Sequence, residues 1–377
     1  MFLYRGKLDP PLTPSDYVDA GVYERERATI FAKGWNLVGP LGVLAQPGGQ
    51  LALSLQDVPV VVRNEAGRLV AFRNVCPHRH SLIVQPGAHV AKSLRCQYHG
   101  WQFTGDGKLA QLPDGPSFRG FKARDACLEK FQVETLGPLV FVNLAPKVGS
   151  LEDAFGPIFL ELQRHLSGLA LALEQHTEHA ANWKIPVENA IESYHVPLLH
   201  PRSFKTYLPE AQHEHELERT YSRYRPINPA SFRERLAFVG FKWMLRGDHA
   251  RRYQHIHVLP NYLISYSGIY VEIVSIVPRG VDACRRDAYG FLPVCVRGNP
   301  VSRAIDLAHR HMLRAGADSI LAEDSSIWPA VHEGSRHSVN RGVLGAREER
   351  VYHFQRWVAQ RLGREPQHLA KVRSTVP

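Results

Sequence analysis

Two pairs of potential metal-binding side chains stand close together in the N-terminal part of the sequence. The first pair is Cys76 and His78, and the second pair is Cys96 and His99. Two thiolates and two neutral imidazoles form a set of four ligands that suits either a structural zinc ion or an iron–sulfur cluster. The spacing therefore predicts a metal centre, and both kinds of centre remain possible at this point.

A second group of chemically active side chains surrounds His195 and His200. In a continuous helix Glu188, Glu192 and His195 would share one face, because 3.6 residues make one turn. Pro197 would break that helix, so a turn of the chain can bring both imidazoles to one point. Two imidazoles and one carboxylate form the facial triad of non-haem Fe(II) oxygenases, in which positions on the iron remain open for O2. The alternative is two unrelated histidines in a chain that contains 20 of them.

Short β runs separated by turn residues surround the two Cys/His pairs. Runs rich in β-branched and apolar residues predict strands, and the segments with glycine or asparagine between them predict turns. The predicted strands are residues 50–54, 58–62, 69–72 and 139–143, and the predicted turns are residues 64–67 and 105–107. We therefore expect a small all-β domain over residues 38–150 that contains all four ligands of the first set.

The remaining sequence has a mixed pattern that predicts a second domain, formed by residues 1–37 and 151–377. Apolar spacing of three and four residues predicts helices, and runs rich in Tyr, Ile and Val predict strands. The predicted helices are residues 14–36 (capped by Thr13 or Ser15), 151–170, 182–195, 300–333 and 346–362, and two strands are predicted between Tyr262 and Pro278. Residues 203–252 have no clear pattern and would suit a lid or channel wall, and the last dozen residues are expected to form a loose tail.

The motifs Cys-Pro-His-Arg at residues 76–79 and Cys-Gln-Tyr-His-Gly-Trp-Gln-Phe at residues 96–103 resemble the Rieske signature. The resemblance implies two loops at hairpin tips that hold a [2Fe–2S] cluster, with the two cysteines on one iron and the two histidines on the other. Neutral imidazoles in place of thiolates raise the reduction potential of such a cluster. Trp101 would then shield the cluster, and His80, where the family often has glycine, would be a surface or hydrogen-bonding neighbour.

Both motif sets together resemble the Rieske oxygenases, from Gly34 through residues 354–357. The resemblance implies an α+β chain, in which a small all-β Rieske domain accompanies a helix-grip (START-like) catalytic domain with an antiparallel sheet. It also implies a mononuclear Fe(II) held by His195, His200 and a carboxylate on a late helix. Asp324 fits that position, and Glu323 is the alternative.

Two further residues acquire roles through the same resemblance. Glu192 would link the iron ligand His195 to His99 of the partner subunit by hydrogen bonds, and so provide the route for the electron. Asn189 would lie near the iron with a modest role. Glutamate at position 192 resembles the branch of choline, glycine-betaine and carnitine oxygenases, which are typically homotrimers.

The expected function is that of a terminal oxygenase, which receives electrons from a flavin-dependent reductase, directly or through a ferredoxin. Its expected substrate is a small aromatic or heteroaromatic compound that it hydroxylates with O2. Alternatives are oxidative N- or O-demethylation of a small methylated amine or ether, and an electron-transfer or ligand-binding protein without catalytic iron. An aromatic pocket could be lined by Phe204, Tyr207, Tyr262, Tyr266, Tyr270 and Trp328, although the core is the better expectation for any one of them. A substrate carboxylate could be met by Arg219, Arg223 and Arg225, although a place on the solvated surface is favoured for them.

The composition predicts the cellular compartment and the kind of binding partner. Lysine and arginine number 46 against 36 aspartates and glutamates, yet the sequence contains no nucleic-acid-binding motif, so the basic balance favours steering of an acidic redox partner. The start of the sequence has no apolar core of signal-peptide length, and no run approaches the length of a membrane helix. With only five cysteines, a disulfide framework is not expected, and we predict a cytoplasmic protein without a membrane segment.

Overall fold

The structure is a computed structural model that describes residues 2–200, 208–227, 253–267, 270–293 and 300–364. The chain divides into two compact units. The first unit is formed by residues 31–164, and the second by the residues before and after that range. The predicted limits of the first domain, residues 38 and 150, fall inside the first unit.

The first unit is built of antiparallel strands. Seven of them form one sheet in the order β1-β10-β9-β4-β3-β2-β5, and three form a small sheet in the order β6-β7-β8. Strands β1 to β10 are Trp35–Pro40, Gly49–Leu55, Val58–Glu65, Arg68–Arg73, Gly87–Val90, Leu94–Arg95, Gln102–Phe103, Leu109–Gln111, Lys130–Leu136 and Leu139–Asn143. The predicted all-β character and the four predicted strands are confirmed.

Strand β3 shows how this unit positions its cysteines. Successive side chains of a strand point to opposite faces, so each face of β3 joins a different core. Val60 and Val62 pack in one apolar cluster, whereas Val61 packs in the other, which contains Cys76 and Cys96. Both cysteines therefore lie against a close-packed core that fixes the loops that carry them.

The second unit has one seven-stranded antiparallel sheet in the order β11-β17-β16-β15-β14-β13-β12. Its strands β11 to β17 are Leu169–His179, His213–Leu217, Tyr221–Pro226, Gln254–Val258, Tyr262–Ser267, Tyr270–Pro278 and Cys284–Pro293. The two strands predicted between residues 262 and 278 are confirmed. Phe204, Tyr207 and most of the predicted lid segment 203–252 lie outside the described residues, as does the predicted tail.

The described α-helices, α1 to α8, include five that are shorter than ten residues. They are Ala20–Glu26, Leu151–Phe155, Ile158–Leu166, Lys184–Ala190, Val196–Leu199, Pro300–Ser325, Trp328–His337 and Glu349–Arg361. Among the helices of the described ranges, none combines the length and the apolar composition that a bilayer crossing requires.

Several predicted helices are shorter or divided in the structure. The prediction of one helix over residues 14–36 is wrong, because a 3₁₀ turn capped by Thr13 precedes α1 as a separate element. Asp19 caps α1 by accepting a hydrogen bond from the backbone N–H of Val22 at 2.7 Å. The prediction over 151–170 extends too far, because Gly156 with φ 65° separates α2 from α3 and strand β11 begins at Leu169.

The predicted continuous helix over residues 182–195 is also wrong, and this difference affects the site. Helix α4 ends at Ala190, and α5 begins only at Val196. Glu188 and Glu192 therefore do not share a helix face. The hydroxyl of Tyr17 donates a hydrogen bond to Glu188 at 2.5 Å and the amide of Gln355 donates one at 3.1 Å, whereas Glu192 turns toward His195.

A buried ion pair anchors α4 to α1. Lys184 Nζ lies 2.7 Å from Glu26 Oε1, and both side chains are fully inaccessible to solvent. The indole N–H of Trp183 donates a second hydrogen bond to the same carboxylate at 2.8 Å. Helix α4 carries Asn189, so this pair helps to fix the position of the site.

Glu26→Gln is expected to lower the free energy of unfolding by about 3–5 kcal/mol, because it leaves the Lys184 ammonium buried without its counter-charge. Urea unfolding followed by circular dichroism measures the change. Glu24→Gln is the matched control, since Glu24 pairs with Arg27 on the exposed side of the same helix and should cost about 0.5 kcal/mol or less. Equal effects of the two substitutions would contradict the structural role of the buried pair.

Candidate metal centres

The two Cys/His motifs form equivalent loops in the first unit. The backbone N–H of His80 donates to the carbonyl of Cys76, and the N–H of Gly100 donates to the carbonyl of Cys96, both at 3.0 Å. His80 and Gly100 occupy matching positions in the two loops, and both are left-handed, with φ of 60° and 75°. Glycine adopts the left-handed conformation more readily than histidine does. A glycine at position 80 would therefore fit the same loop backbone, as Gly100 does in the other loop. The His80 side chain is exposed, as expected for a surface neighbour.

The four predicted cluster ligands converge at the ends of these loops. Cys76 and Cys96 are buried free thiols, and the rings of His78 and His99 lie 4.6 Å apart. Burial, together with the neighbouring thiol of Cys96, raises the pKa of Cys76 to about 11. Two adjacent buried thiols without a disulfide fit a site in which a metal cluster takes up thiolates.

The histidine side of this centre also fits a cluster. His78 Nδ1 is buried and has no hydrogen-bond partner within the described part of the chain. Burial, assisted by the charges of His99 and Arg79, lowers the pKa of His78, the direction that favours the neutral imidazole a metal ligand requires. The Trp101 ring stacks on His78 with centroids 4.9 Å apart, which agrees with the expected shielding.

Three side chains of the second set meet in the second unit. His195 and His200 flank the short helix α5, and Asp324 lies at the end of α6. Their ligand atoms all lie within 4.8 Å of one another, and Asp324 Oδ1 is 3.1 Å from His200 Nε2 and 3.6 Å from His195 Nε2. Two imidazoles and one carboxylate at one point have the composition that Fe(II) requires in a facial triad.

Glu323 contacts the same histidine through its other nitrogen. Its Oε2 lies 2.7 Å from His200 Nδ1, whereas Asp324 faces Nε2 of that ring. A carboxylate on the outer nitrogen fixes the tautomer and the direction in which the inner nitrogen points. The geometry therefore favours Asp324 over Glu323 as the third ligand, and gives Glu323 a positioning role that the sequence alone did not reveal.

Glu323→Gln is expected to weaken iron binding by about 10- to 100-fold, since an amide orients the His200 ring less strongly than a carboxylate does. Titration of the metal-free protein with Fe(II) under anaerobic conditions measures this affinity. Glu333→Gln on α7 is the control, because Glu333 is exposed and pairs only with Arg336 and His337 in the described structure. Unchanged affinity in the Glu323 variant would contradict this role.

Glu192 acts on the other histidine. Its carboxylate contacts Nδ1 of His195 and accepts the backbone N–H of the same residue at 3.3 Å. Burial lowers the pKa of His195, but the hydrogen bond and charge of Glu192 outweigh it, so the pKa is raised. Burial raises the pKa of Asp324 against the opposing effect of both histidines, and a bound divalent cation would favour its ionised form.

Asn189 lies between the two ligand-bearing segments. Its amide nitrogen is 3.3 Å from both His195 Nε2 and Asp324 Oδ1. Its carbonyl oxygen accepts a hydrogen bond from the indole N–H of Trp328 at 2.5 Å. Trp328 thus positions Asn189; it is the first residue of α7 and follows Asp324 by four residues, across the break between α6 and α7.

The predicted pocket residues do not all face the same side of the sheet. Tyr262 and Tyr266 pair with Ser275 and Val271, which places them on the face opposite to Tyr270 and Glu272. Both are buried, and Tyr266 stacks on His165 with centroids 3.9 Å apart. They therefore belong to the core, which is the expectation favoured above for any one of these aromatic residues.

The three predicted carboxylate-binding arginines have other surroundings. Arg223 lies 3.4 Å from Glu216, and Arg225 lies 2.7 Å from Glu214, so both arginines of β13 pair with the edge strand β12. Arg219 is exposed in the turn between β12 and β13. Their charges are used within the sheet or solvated, so none of the three supports a substrate carboxylate site.

Comparison with known proteins agrees with both centres. The family described as ring hydroxylating alpha subunit (catalytic domain) matches residues 167–364, and the Rieske [2Fe-2S] domain matches residues 34–130. Because the first match covers more than half of the 377 residues, the chain belongs to the ring-hydroxylating alpha-subunit family, and it carries a Rieske domain. These two domains imply a Rieske [2Fe–2S] cluster and a mononuclear iron.

Curated relatives extend the similarity to particular proteins. The carnitine monooxygenase oxygenase subunit of Acinetobacter baumannii is 32% identical over 190 residues, and that match spans 49% of this chain and 51% of the relative. The chain thus matches about half the length of this relative. The chloroplastic choline monooxygenase of Beta vulgaris is 24% identical over 94% of this chain and 80% of the relative.

Solved structures share the fold of the chain. The quaternary ammonium Rieske monooxygenase CntA in complex with L-carnitine matches with a TM-score of 0.75 and 22% identity, over 96% of this chain and 97% of that chain. Naphthalene 1,2-dioxygenase bound to phenanthrene matches with a TM-score of 0.72 and 19% identity, over 95% of each chain. The predicted architecture, a Rieske domain with a catalytic domain built on an antiparallel sheet, is confirmed.

Proposed function

We propose that this protein is the terminal oxygenase component of a Rieske system. The observation that carries the proposal is the convergence of His195, His200 and Asp324 in a chain that also contains a Rieske domain. A protein that only transferred electrons would not need a second set of metal ligands. In this proposal His195, His200 and Asp324 hold a mononuclear Fe(II), and Cys76, Cys96, His78 and His99 hold the cluster.

The side chains around the iron would hold the ligand set in one geometry. Glu192 and Glu323 orient the two imidazoles from their outer nitrogens, and Asn189 joins His195 to Asp324. When bound, Fe(II) would supply the centre that reduces O2 beside the substrate. The protein's own contribution is a partly buried site in which neighbouring side chains fix the ligands.

Electrons would come from a flavin-dependent reductase, directly or through a ferredoxin, and would enter at the cluster. Glu192 would carry the electron route between His195 and His99 of the partner subunit in a homotrimer. The contact between Glu192 and His195 within one chain supports the link of this route that lies inside a single subunit. The cytoplasmic location stays a prediction.

The substrate that the relatives favour is a methylated amine, rather than the aromatic compound that we first expected. Relatives named for carnitine, glycine betaine and choline support the N-demethylation or hydroxylation alternative. In this reaction one atom of O2 enters a C–H bond, and two electrons and two protons reduce the other atom to water. Hydroxylation of an N-methyl group would release formaldehyde.

A single-turnover experiment tests this function without the reductase. The protein is loaded with iron, reduced with dithionite, freed of excess reductant and mixed with choline, glycine betaine, L-carnitine or indole before O2 is admitted. Mass spectrometry of the substrate and an assay for formaldehyde then identify the product. Oxygenated product from any of these compounds would support the proposal. No product in protein with full iron content would favour a ligand-binding or electron-transfer protein.

A further inference from the structure

One face of the sheet in the second unit is turned toward α6, and we call it the inner face. Gly290 of β17 lies on it, because a Cβ atom at that position would meet Leu313 of α6 at 3.0 Å. Gln175 of β11 also reaches α6, with its amide donating a hydrogen bond to Asp318 at 2.8 Å. The inner face is defined by Gly290, Gln175 and the residues in register with them.

A carboxylate and two phenols gather on this inner face. Glu272 of β16 is paired with Gly290 on one side and Ser265 on the other, so all three share the face. Tyr270 precedes Glu272 by two residues and points to the same side. The hydroxyl of Tyr253 lies 3.5 Å from the hydroxyl of Ser265, which brings a second phenol to the group.

The three groups are close enough to influence one another. Burial raises the pKa of both Tyr253 and Tyr270, and the negative charge of Glu272 raises each further. The group is nevertheless open to small molecules, since Tyr253 is 38% exposed and the Glu272 side chain 15%. A carboxylate in a closed apolar core would be neutralised or excluded, so this partial exposure points to a binding surface.

The inner face leads to the ligands of the proposed iron. His179 follows Gln175 by four residues on β11, and its ring lies 4.7 Å from that of Trp328. Trp328 donates to Asn189, whose amide nitrogen is 3.3 Å from Asp324. A molecule bound on the inner face would therefore lie on the side of the catalytic unit that carries the iron ligands.

Arg286 holds the carboxylate of Glu272 in place. Its guanidinium donates to Glu272 Oε1 at 2.9 Å and to Gln175 Oε1 at 3.1 Å. The guanidinium forms an ion pair with Glu272 and fixes the direction of its carboxylate. An aromatic hydrocarbon would form no favourable interaction with an ionised carboxylate. Its binding would also cost free energy, because it would remove water from the carboxylate.

A quaternary ammonium group has the opposite requirements. It has no N–H to donate, so proteins bind it with the faces of aromatic rings and with nearby negative charge. Resting on the function proposed above, we propose that Glu272, Tyr253 and Tyr270 form the subsite that binds the methylated ammonium group of the substrate. The subsite selects for positive charge, and these three side chains determine specificity rather than perform the oxidation.

The test compares a cation with its uncharged isostere. Calorimetry under anaerobic conditions measures binding of choline, glycine betaine, L-carnitine and 3,3-dimethylbutan-1-ol, which replaces the choline nitrogen with carbon, to the iron-loaded full chain. We expect at least one of the three quaternary ammonium compounds to bind tenfold or more tightly than the neutral alcohol. Glu272→Gln and Tyr270→Leu should each reduce this preference about tenfold, whereas Tyr253→Phe, which keeps the ring, should retain it.

Matched controls separate charge recognition from loss of folding. Glu174→Gln makes the same chemical change on the opposite face of the sheet, where Glu174 contacts His176, and should leave binding unchanged. The double variant Glu272→Gln/Arg286→Gln avoids an unpaired buried guanidinium and should lose the preference while melting close to the wild type.

The outcomes distinguish this subsite from the proposed function. A wild type that prefers the cation, with variants that keep the preference, would overturn the subsite and leave the oxygenase proposal intact. A wild type without preference for any cation would also overturn the subsite, while oxygenation of a neutral compound in the single-turnover experiment would still support an oxygenase. Loss of the preference in the Glu272 and Tyr270 variants alone would support the assignment.

Discussion

Asp324→Ala is expected to remove the mononuclear iron and reduce product formation by at least about 1,000-fold, while the [2Fe–2S] cluster remains. Two neutral imidazoles without a carboxylate bind Fe(II) far more weakly, because Asp324 is the one negatively charged side chain among the three proposed ligands. Its removal takes away both a ligand and that charge. The expected iron content falls from three atoms per chain to two. Iron analysis, visible absorption of the cluster and single-turnover product measure the three effects.

The control for this substitution lies on the same helix. Asp306→Ala removes a partly exposed carboxylate that pairs with Arg310, and it should leave iron content and product unchanged. If Asp324→Ala retained three irons per chain and Glu323→Ala lost one, the assignment of the two carboxylates would have to be reversed. Retention of full iron by both variants would place the mononuclear metal elsewhere.

Glu192→Gln is expected to slow product formation by about 100-fold with both metal centres still present. The substitution keeps the size of the side chain, but it removes the charge that raises the pKa of His195 and weakens the hold on its Nδ1. Because the carboxylate would also form the link toward the cluster of the partner subunit, reoxidation of the cluster should slow by a similar factor. Stopped-flow absorbance after mixing the reduced protein and substrate with O2 follows that step.

A structural effect would look different from an effect on electron transfer. If Glu192 only oriented His195, the variant would bind iron less tightly, and excess Fe(II) would restore the rate. If it serves the electron route, saturating iron leaves the slow cluster reoxidation unchanged. Cluster reoxidation at the wild-type rate in Glu192→Gln without added Fe(II) would contradict both roles.

Local spacing was sufficient to predict the first metal set. Cys76 with His78 and Cys96 with His99 are contiguous motifs, and each lies in a loop whose hydrogen bonds connect residues only four or five positions apart. The strands around them were equally predictable, because a short run of β-branched residues such as that in β3, which is buried on both faces, is typical of a strand. Features determined within a few residues of each other can be read from the chain directly.

The orientations of the acidic side chains near the proposed iron depend on contacts between distant segments, so the sequence alone could not predict them. Glu188 and Glu192 looked equivalent on a helix, but Tyr17 and Gln355, more than 160 residues away, take Glu188 into the interior. Glu323 and Asp324 are neighbours, and only the packing of α6 beside His200 decides which one faces the metal side of the ring. Tertiary packing overrides helix periodicity in the first case and resolves an ambiguity in the second.

The sequence could not assign the predicted pocket residues to a face of the sheet, because strand register decides the face. Tyr262, Tyr266 and Tyr270 follow one another closely in the sequence, yet the register of β15 with β16 places Tyr270 on one face and the other two on the opposite face. A shift of one residue in register exchanges the two faces, so composition alone cannot assign them. Glu272 was not predicted for the same reason, although it lies in a strand whose existence was expected.

Electron paramagnetic resonance of the anaerobic Fe(II)-loaded protein with nitric oxide tests the central claim most directly. A high-spin iron–nitrosyl signal is expected in the wild type, because His195, His200 and Asp324 would leave coordination positions open. The signal should change shape when the substrate is added, and it should be absent in Asp324→Ala. Iron-replete wild-type protein without this signal would contradict an open mononuclear site, and with it the proposed oxygenase.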